Sequence, residues 1–502
     1  MGSPPLRRVP PRGIVGLAWL IVAAAAIGLA LAGAASSAPP DAPQLFPNDP
    51  GFQAYQAPLR LIDAPAAWAV SLGSPAVTIG VVDTDITALP DFGSGLVPGW
   101  NVFGGNDNPV DEHGHGTAVA STLGARLNDG VGIAGICAAC GVMPVRISDA
   151  SARSNGRLLA DGITWAATHG ARVINVSFQQ DPDGPLYTPL QDAVNATVAS
   201  GAVVVLIAGN YGRSDPPANQ WASSNPNAIR VAGVDLSGGL NGKSNRGAWT
   251  DIAAPWEVVA DTSSGSFAHW QGTSFSGPLV SGVAALMLAA DPLLTPADVK
   301  SILLGTGTKV AGLDVACGCV VNAYNALIAA RVRAGASVTL TVRKEGTGAG
   351  RVRDAAARLD CGDACSTSVT VGTTVTLSAQ PDGRSAFAGW GGACSGDAAS
   401  CTLTLGGDAE VTAAFEKRQV RIVVKKIGRG VVTSAPAGIS CGTRCATTEP
   451  VGDVLRLKAR SAKGFRFVRW SGGCSGRRPT CTLHPSAPAT IVAVFGRSKT
   501  AK

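Results

Sequence analysis

The chain has 502 residues, which is too long for one ordinary hydrophobic core and favours two to four domains. Hydrophobic residues make up 46% and charged residues 15%, and 63 Gly and 32 Pro indicate many turns, so a disordered or coiled-coil chain is excluded. The formal charge of +7 is unevenly spread, because residues 417–502 hold 18 Lys and Arg against two acids (+16), whereas the remainder holds 23 against 32 (−9).

Residues 1–38 have the pattern of an export segment. Three arginines precede an apolar stretch over residues 14–34, and a segment rich in Ser and Pro follows. The stretch is long enough to span a bilayer, but much of it is alanine, and Ala32-Gly33-Ala34 offers a small-residue cleavage site. We expect a cleaved signal peptide and a secreted or extracytoplasmic protein, with a membrane anchor through residues 14–34 as the alternative.

Between residues 39 and 333, short runs rich in Val and Ile alternate with segments of helical spacing. Strands are predicted over residues 76–82, 142–147, 172–178, 202–208 and 229–234. Helices are predicted over residues 155–169, 186–200 and 279–290, and Thr295 with Asp298 predicts a further helix start. This alternation is typical of an α/β fold with a doubly wound, mostly parallel sheet that is covered by helices on both faces.

After residue 333 the sequence changes to β-branched runs, glycine turns and evenly spaced cysteines. Six residues recur with an offset of 80, since Cys361, Cys365, Trp390, Cys394, Cys401 and Phe415 match Cys441, Cys445, Trp470, Cys474, Cys481 and Phe495. The pattern indicates two homologous β-rich modules, over residues 337–416 and 417–496, and a basic tail over residues 497–502.

The chain has 12 cysteines, which in an exported protein indicate disulfides. Four cysteines in a module allow three pairings, and closeness in sequence favours Cys361 with Cys365 and Cys394 with Cys401. A zinc site is the less favoured alternative for the modules and for two further cysteine pairs before residue 333.

The charge of the second module suggests a partner. A +16 segment over residues 417–502 favours contact with an anionic cell-envelope polymer, and no specific nucleic acid is expected. The alternative is a basic face that is merely solvated.

Three separated blocks carry chemically reactive residue types. Residues 77–84 form an apolar run in which Asp83 lies at the C-terminal edge of a predicted strand, where open α/β sheets place their sites. Residues 111–120 place His113 and His115 before a predicted helix, and residues 271–278 present Ser274 among small residues that permit a sharp turn. Serine-based peptide hydrolysis needs such a base, an acid that orients it and donors for the oxyanion, although each block alone is also compatible with a turn or half of a metal site.

Together the blocks resemble the subtilisin-like (subtilase, peptidase S8) family in motif, order and separation, over residues 47–327, with a thermitase-like N-terminal arm. The resemblance implies a serine endopeptidase in which Asp83 orients His115, and His115 deprotonates Ser274 so that it forms an acyl-enzyme. His113 is the rival base, but the family's His-Gly-Thr motif selects His115. Asn210 matches the family's Ala-Gly-Asn element, which implies that it donates to the oxyanion together with the Ser274 amide.

The same resemblance implies no cofactor for catalysis but a structural calcium ion. Its expected ligands are three carboxylates and three backbone carbonyls, namely Asp49, Asp91 and Asp129 with Leu127, Val131 and Ile133. Carboxylate and carbonyl oxygens suit calcium, although aspartates in loops are also often simply solvated.

The chain departs from the family pattern at three places near the predicted site. Asp85 stands where the family has glycine, and it is expected to raise the pKa of His115 or to alter the loop. Gln179 and Gln180 replace a small glycine-containing turn in the substrate-pairing segment, which is expected to narrow or reshape the pocket, so the family's specificity is not transferable. Phe275 replaces the usual Met, a packing change. These departures motivate an alternative function, a catalytically silent subtilase-fold surface protein that binds anionic envelope polymer.

Overall fold

The computed structural model describes residues 42–107, 110–179, 187–214, 222, 224–362 and 364–498. The predicted export segment and Gln180 therefore lie outside the described residues. Within the described residues, one helix, Thr273–Ala290, is long and apolar enough to cross a membrane, and 89% of it is buried inside the fold.

The first part of the described chain contains the α/β elements. Its helices are α1 (Pro50–Tyr55), α2 (Ala57–Leu61), α3 (Ala64–Trp68), α4 (His115–Gly124), α5 (Gly156–Thr168), α6 (Thr188–Ala199), α7 (Thr273–Ala290), α8 (Pro296–Thr306) and α9 (Ala323–Arg333). Its strands are β1 (Thr78–Asp83), β2 (Trp100–Asn101), β3 (Gly141–Arg146), β4 (Ala171–Val176), β5 (Val203–Ile207), β6 (Ile229–Val234), β7 (Ile252–Pro255), β8 (Glu257–Asp261), β9 (Phe267–Gln271), β10 (Thr308–Lys309) and β11 (Cys319–Val320).

One sheet organises these elements in the order β10-β11-β7-β6-β5-β4-β1-β3-β2, and β8 and β9 form a separate antiparallel pair. Neighbours from β11 to β2 are parallel, and only β10 runs antiparallel. The central strands are apolar and buried on both faces because α4 and α7 pack on one side and α5 and α6 on the other. The predicted doubly wound, mostly parallel sheet is confirmed.

The predicted strands and the helices α5 and α6 agree with the structure within two residues at each end, and the capping box of Thr295 and Asp298 is present. The predicted start of α7 at residue 279 is wrong, because the helix begins at Thr273 and runs through Pro278. Proline has no N–H to donate to the carbonyl four residues earlier, which belongs to Ser274. That carbonyl accepts a hydrogen bond from the Ser177 hydroxyl at 2.8 Å instead, so the helix continues.

Two copies of one two-sheet module follow. The first contains β12 (Ser337–Glu345), β13 (Gly350–Asp354), β14 (Asp360–Cys361), β15 (Ala364–Thr370), β16 (Thr374–Pro381), β17 (Ser385–Gly392), β18 (Ser400–Thr404) and β19 (Ala409–Lys417). The second contains β20 (Gln419–Ile427), β21 (Gly430–Ala435), β22 (Ser440–Cys441), β23 (Ala446–Pro450), β24 (Leu455–Ser461), β25 (Phe465–Gly472), β26 (Thr480–Leu483) and β27 (Ala489–Arg497).

The strand orders of the two modules are equivalent. The first has sheets β15-β12-β19-β17 and β14-β13-β16-β18, and the second has β23-β20-β27-β25 and β22-β21-β24-β26. In each module the inward residues of both sheets share one apolar core. A single sequence duplication has therefore given two copies of the same fold.

All cysteines of the chain form local disulfides, which leaves no thiolate for zinc. The pairs are Cys137–Cys140, Cys317–Cys319, Cys361–Cys365, Cys394–Cys401, Cys441–Cys445 and Cys474–Cys481. The local pairing predicted for the modules is confirmed.

Candidate active site

Asp83 ends strand β1 in the middle of the parallel sheet. Its carboxylate is fully buried, and Oδ1 accepts a hydrogen bond from the Thr84 amide at 2.8 Å. The same oxygen lies 2.7 Å from Nδ1 of His115. The buried carboxylate thus fixes the orientation of the imidazole ring and favours the proton on Nδ1, which leaves Nε2 as a proton acceptor.

His115 is the first residue of α4, and its side chain is 19% exposed. The rings of Phe178, Trp270 and Phe275 surround it, with ring centroids 6.2, 6.5 and 5.7 Å away. Burial by itself lowers the pKa of His115, but the charge and hydrogen bond of Asp83, with the charge of Asp111, outweigh burial and raise it above its ordinary value. The ring centroid of His113, the rival base, lies 6.3 Å from that of His115. Within the described residues, Asp83 contacts His115 and not His113.

Asp111 holds the loop between β1 and α4 in place. Its Oδ1 accepts hydrogen bonds from the Thr84 hydroxyl and the Gly114 amide, each at 2.8 Å, and its Oδ2 accepts from the Thr117 amide and hydroxyl at 2.8 and 2.6 Å. The Thr84 hydroxyl in turn accepts from the Gly116 amide at 2.8 Å. No sequence pattern points to this role of Asp111, because its partners come together only where β1 and α4 lie side by side.

Ser274 lies in the first turn of α7, between the ends of β4 and β5. Its side chain is buried, and its hydroxyl donates to the Ser177 carbonyl at 3.2 Å, while the Ser177 hydroxyl donates to the Ser274 carbonyl at 2.8 Å. This reciprocal pair fixes the serine to the segment that follows β4. The neighbouring Phe275 ring contacts His115, so the start of α7 and the start of α4 meet at one place.

Asn210 lies beside this serine, after the end of β5. Its Oδ1 accepts hydrogen bonds from the Thr273 amide at 2.9 Å and the Thr273 hydroxyl at 2.7 Å, so its Nδ2 donor points away from them. A methyl group on Gly272 would lie 3.3 Å from Asn210 Nδ2 and 3.7 Å from the Ser274 amide nitrogen. The Asn210 side-chain amide and the Ser274 backbone amide therefore lie near each other, which is compatible with the expected pair of oxyanion donors.

Asp85 adopts a left-handed backbone conformation, with φ 103°, which an L-residue rarely takes. Its Oδ1 accepts from the Ile86 amide at 2.9 Å, and its Oδ2 has no partner among the described residues. Burial raises the pKa of Asp85 to about 7. The charges that raise the pKa of His115 belong to Asp83 and Asp111, so the expected effect of Asp85 on His115 is not observed.

Gln179 bridges two segments at the edge of the site. Its Oε1 accepts from the Asn210 amide at 2.9 Å, and its Nε2 donates to the Tyr211 hydroxyl at 3.3 Å. The side chain thus connects the segment after β4 to the segment after β5, directly beside the proposed oxyanion donors.

The residues predicted to hold calcium are only partly brought together. Asp49 and Asp91 are buried, but both Asp49 oxygens accept backbone amides of residues 128–130, and Asp129 accepts the Val131 amide. The expected ligand atom of Ile133 is its carbonyl oxygen, but it is the Ile133 amide that faces Asp91, donating to Oδ2 at 3.0 Å. The described residues contain no cluster of three or more His, Cys, Asp or Glu around one point.

A second carboxylate, which the sequence analysis did not select, lies against Asp91. Asp261 ends strand β8. Burial is the largest cause, and the contact with Asp261 the second, of a pKa of Asp91 that is raised to about 9. Burial also raises the pKa of Asp261. Each member of the pair has one buried oxygen without a partner among the described residues, Oδ1 of Asp91 and Oδ2 of Asp261. Two adjacent buried carboxylates, each with one unpartnered oxygen, are a donor set that suits a hard cation.

Comparison with known families matches two parts of the chain. Residues 74–320 match the Subtilase family, and residues 338–419 and 425–499 each match the Divergent InlB B-repeat domain. The second match agrees with the internal duplication seen in the sequence and the structure.

Individual relatives cover the α/β part. Thermitase from Thermoactinomyces vulgaris is 35% identical over 285 residues, which is 56% of this chain and 99% of thermitase. Subtilisin BL from Lederbergia lenta is 32% identical over 267 residues, or 52% of this chain and 94% of that protein. Among solved structures, a protease from Pseudoalteromonas arctica is similar with a TM-score of 0.51 and 29% identity, covering 57% of this chain and 99% of the other.

Proposed function

Because the chain belongs to the subtilase family of serine endopeptidases, we propose that it cleaves proteins outside the cytoplasm through an acyl-enzyme on Ser274. The 2.7 Å contact between Asp83 and His115, beside a buried serine in the first turn of a helix, is the observation that supports this assignment most strongly. It provides an oriented base at the end of the sheet where open α/β folds carry their sites.

The reaction proceeds in two halves. The Ser274 hydroxyl breaks its hydrogen bond to the Ser177 carbonyl and gives its proton to His115 Nε2. The serine oxygen then attacks the scissile carbonyl carbon. Asn210 Nδ2 and the Ser274 amide stabilise the oxyanion, and His115 then gives its proton to the leaving amine. A water molecule, deprotonated by the same imidazole, hydrolyses the ester. The charge of Asp83 stabilises the imidazolium in both halves.

We propose export and attachment to the cell envelope for the same chain. Local disulfides throughout both modules suit an oxidising compartment, and the predicted export segment supplies a route out of the cytoplasm. The basic second module supplies a surface for an anionic envelope polymer.

A structural calcium ion is proposed between Asp91 and Asp261 rather than on the full ligand set expected from the sequence. The two buried carboxylates repel each other when both are ionised, and a divalent cation removes this repulsion. The ion would tie the loop after β1 to the end of β8, and no catalytic step depends on it.

Cleavage of casein by the purified full chain tests the peptidase assignment. We expect digestion by the wild type and none by Ser274→Ala. Ser276→Ala is the matched control, because the Ser276 hydroxyl lies in the same helix but donates to the Pro255 carbonyl, and it should retain activity. Digestion by Ser274→Ala equal to the wild type would refute the assignment.

The alternative function is a catalytically silent surface protein that binds anionic polymer. The strained backbone of Asp85 and the bridge from Gln179 to Asn210 favour it. An intact Asp83–His115 pair beside Ser274 favours the enzyme, and the casein experiment separates the two, because a silent protein leaves casein intact in every variant.

A further inference from the structure

One sheet of the second module carries a row of cations on its outer face. Along β24, alternate side chains point into the core of the module, and the three between them, Arg456, Lys458 and Arg460, are exposed. Residues two apart on a strand lie on the same face, about 6.5–7 Å apart. The three cations therefore form a straight row along the strand.

The strands on either side provide this row with neutral neighbours. The register places small or hydroxyl side chains opposite the cations, Ala435, Thr433 and Val431 on β21 and Thr482 and Thr480 on β26. Two depressions of about 550 and 260 Å³ follow the row and share Thr433 in their walls. The face is a groove lined by cations, hydroxyl groups and small apolar side chains.

No acid is available to neutralise the row. Residues 417–502 contain two acidic residues, Glu449 and Asp453. Glu449 is buried and accepts the Thr447 hydroxyl, and Asp453 pairs with Lys417 at 2.6 Å. The positive charge of the face is therefore uncompensated within its own module.

The first module provides an internal reference for this face. At the positions 80 residues earlier, β16 carries Thr376, Ser378 and Gln380 in place of the three cations. The Thr376 hydroxyl is 3.0 Å from the Thr402 hydroxyl on the adjacent strand, so these two hydroxyl groups on this face hydrogen-bond to each other. Since the same fold forms with either set of side chains, the cations of β24 are not required for folding.

The first module pairs the cations of this sheet with one acid. Arg351 and Arg353 on β13 lie 3.9 and 3.3 Å from Asp360 on the neighbouring strand. The equivalent position of Asp360 in the second module is Ser440, which carries no charge. The outer face of this sheet therefore carries two cations and one acid in the first module, but three cations and no acid in the second.

We propose that the row of Arg456, Lys458 and Arg460 binds a linear phosphate-bearing polymer that lies along β24. A guanidinium group matches a phosphate with two parallel hydrogen bonds, and three cations in a line suit a linear chain of anions. None of the residues that line the two depressions is aromatic, so nucleobases have no aromatic ring on which to stack. The inference rests on the proposed envelope attachment for its occupant and is independent of catalysis.

Binding of inorganic polyphosphate to the full chain tests this surface, measured by calorimetry at several salt concentrations. Both proteins carry Ser274→Ala, so that proteolysis does not interfere. The test variant, Arg456→Thr with Lys458→Ser and Arg460→Gln, introduces the side chains of the first module. We expect at least about tenfold weaker binding and a slope of log K against log salt that is smaller by about 2, since each lost phosphate contact removes about 0.7.

A matched control removes the same charge from the other sheet of the module. Its substitutions are Arg421→Thr, Lys425→Thr and Arg466→Ala, which replace exposed cations on β20 and β25. We expect the control to retain most of the salt-dependent slope. Equal losses in the two variants would mean that only net charge matters and would overturn the proposed site.

A gain of binding provides the reciprocal test. Introducing Thr376→Arg, Ser378→Lys and Gln380→Arg into the test variant should restore binding to polyphosphate through the first module. A restored affinity supports the row as the binding unit, and no gain in a folded protein would refute it.

Binding of a different class of ligand to the β24 row would give different results. Tighter binding to single-stranded DNA than to polyphosphate at equal charge, or binding to anionic lipid vesicles without binding to polyphosphate, would overturn the proposal. The same three β24 substitutions in the chain with Ser274 intact should leave casein cleavage unchanged. Failure of the binding proposal and failure of the peptidase proposal are therefore distinguishable.

Discussion

Gln179 bridges the segments that follow β4 and β5 beside the proposed nucleophile, and its removal is expected to change substrate preference. In the proposed mechanism Ser274 and Asn210 hold the acyl carbon between them, and we expect the substrate side chain before the cut to extend between the ends of β4 and β5. Gln179 Oε1 bridges this space at 2.9 Å from the Asn210 amide and lies 3.2 Å from the position of a methyl group on Gly209. The wild type should therefore prefer a small residue before the cut, and Gln179→Gly should accept a large one.

The size of the effect follows from the two hydrogen bonds of Gln179. A large substrate side chain must displace the bonds to Asn210 and Tyr211, which at an exposed site contribute together about 1–2 kcal/mol. Because about 1.4 kcal/mol corresponds to a tenfold change in rate, Gln179→Gly should raise kcat/KM for Phe relative to Ala by about 5- to 30-fold. Tyr211→Phe removes only one of the two bonds and should give about a 2- to 5-fold increase.

Two peptide substrates that differ only in the residue before the cut, Ala or Phe, measure this ratio. Values of kcat/KM are normalised to the concentration of reactive serine, so that misfolded protein does not distort them. The reasoning is refuted if the ratio is the same in Gln179→Gly and the wild type, or if the wild type already prefers Phe.

Three further predictions concern the oxyanion, the base and the metal. Asn210→Ala should lower kcat by about 10²- to 10³-fold with little change in KM. Thr273→Val removes only the hydroxyl bond to Asn210 and should lower kcat by about tenfold. A loss expressed mainly in KM would contradict this role of Asn210. Burial lowers the pKa of His115, but the neighbouring carboxylates outweigh burial and raise this pKa above 6.5. Because the neutral imidazole is the base, kcat/KM should rise with pH and reach half its maximum above pH 6.5. A midpoint below pH 6.5 would contradict the assignment of His115 as the base. A chelator should lower the Tm by roughly 5–10 °C, as expected for a ligand at about a hundred times its Kd. Asp261→Asn should abolish the calcium response and Asp129→Asn should keep it, and a normal response in Asp261→Asn would place the ion elsewhere.

Much of the fold was predictable because local signals agreed with the final structure. The buried strands are continuous Val and Ile runs, which require a sheet covered on both faces, and their ends were predicted within two residues. The duplication was visible as a fixed offset of cysteines and aromatic residues. The start of α7 was missed because Gly277 and Pro278 indicate a break, and the hydroxyl of Ser177 that replaces the lost backbone donor is distant in sequence.

The candidate site was predictable only where a motif carried it. Asp83, His115 and Ser274 come from three blocks with recognisable local patterns, and the contact between Asp83 and His115 is present in the structure. The partnership of Asp91 with Asp261 and the bridge of Gln179 to Asn210 join residues far apart in the chain, with no pattern that pairs them. The expected calcium ligand set stays a prediction, and the backbone amides that donate to the Asp49 oxygens could not be identified from the sequence because they lie about 80 residues away.

The assignment of Ser274 as the activated nucleophile is tested most directly by a fluorophosphonate probe, which forms a covalent adduct with an activated serine and releases fluoride. The full chain is incubated with the probe at neutral pH with calcium, and the modified residue is identified by fragmentation in a mass spectrometer. We predict one adduct per chain, on Ser274, and none in His115→Ala. A wild-type chain without an adduct, or an adduct on another serine such as Ser276, would contradict the assignment.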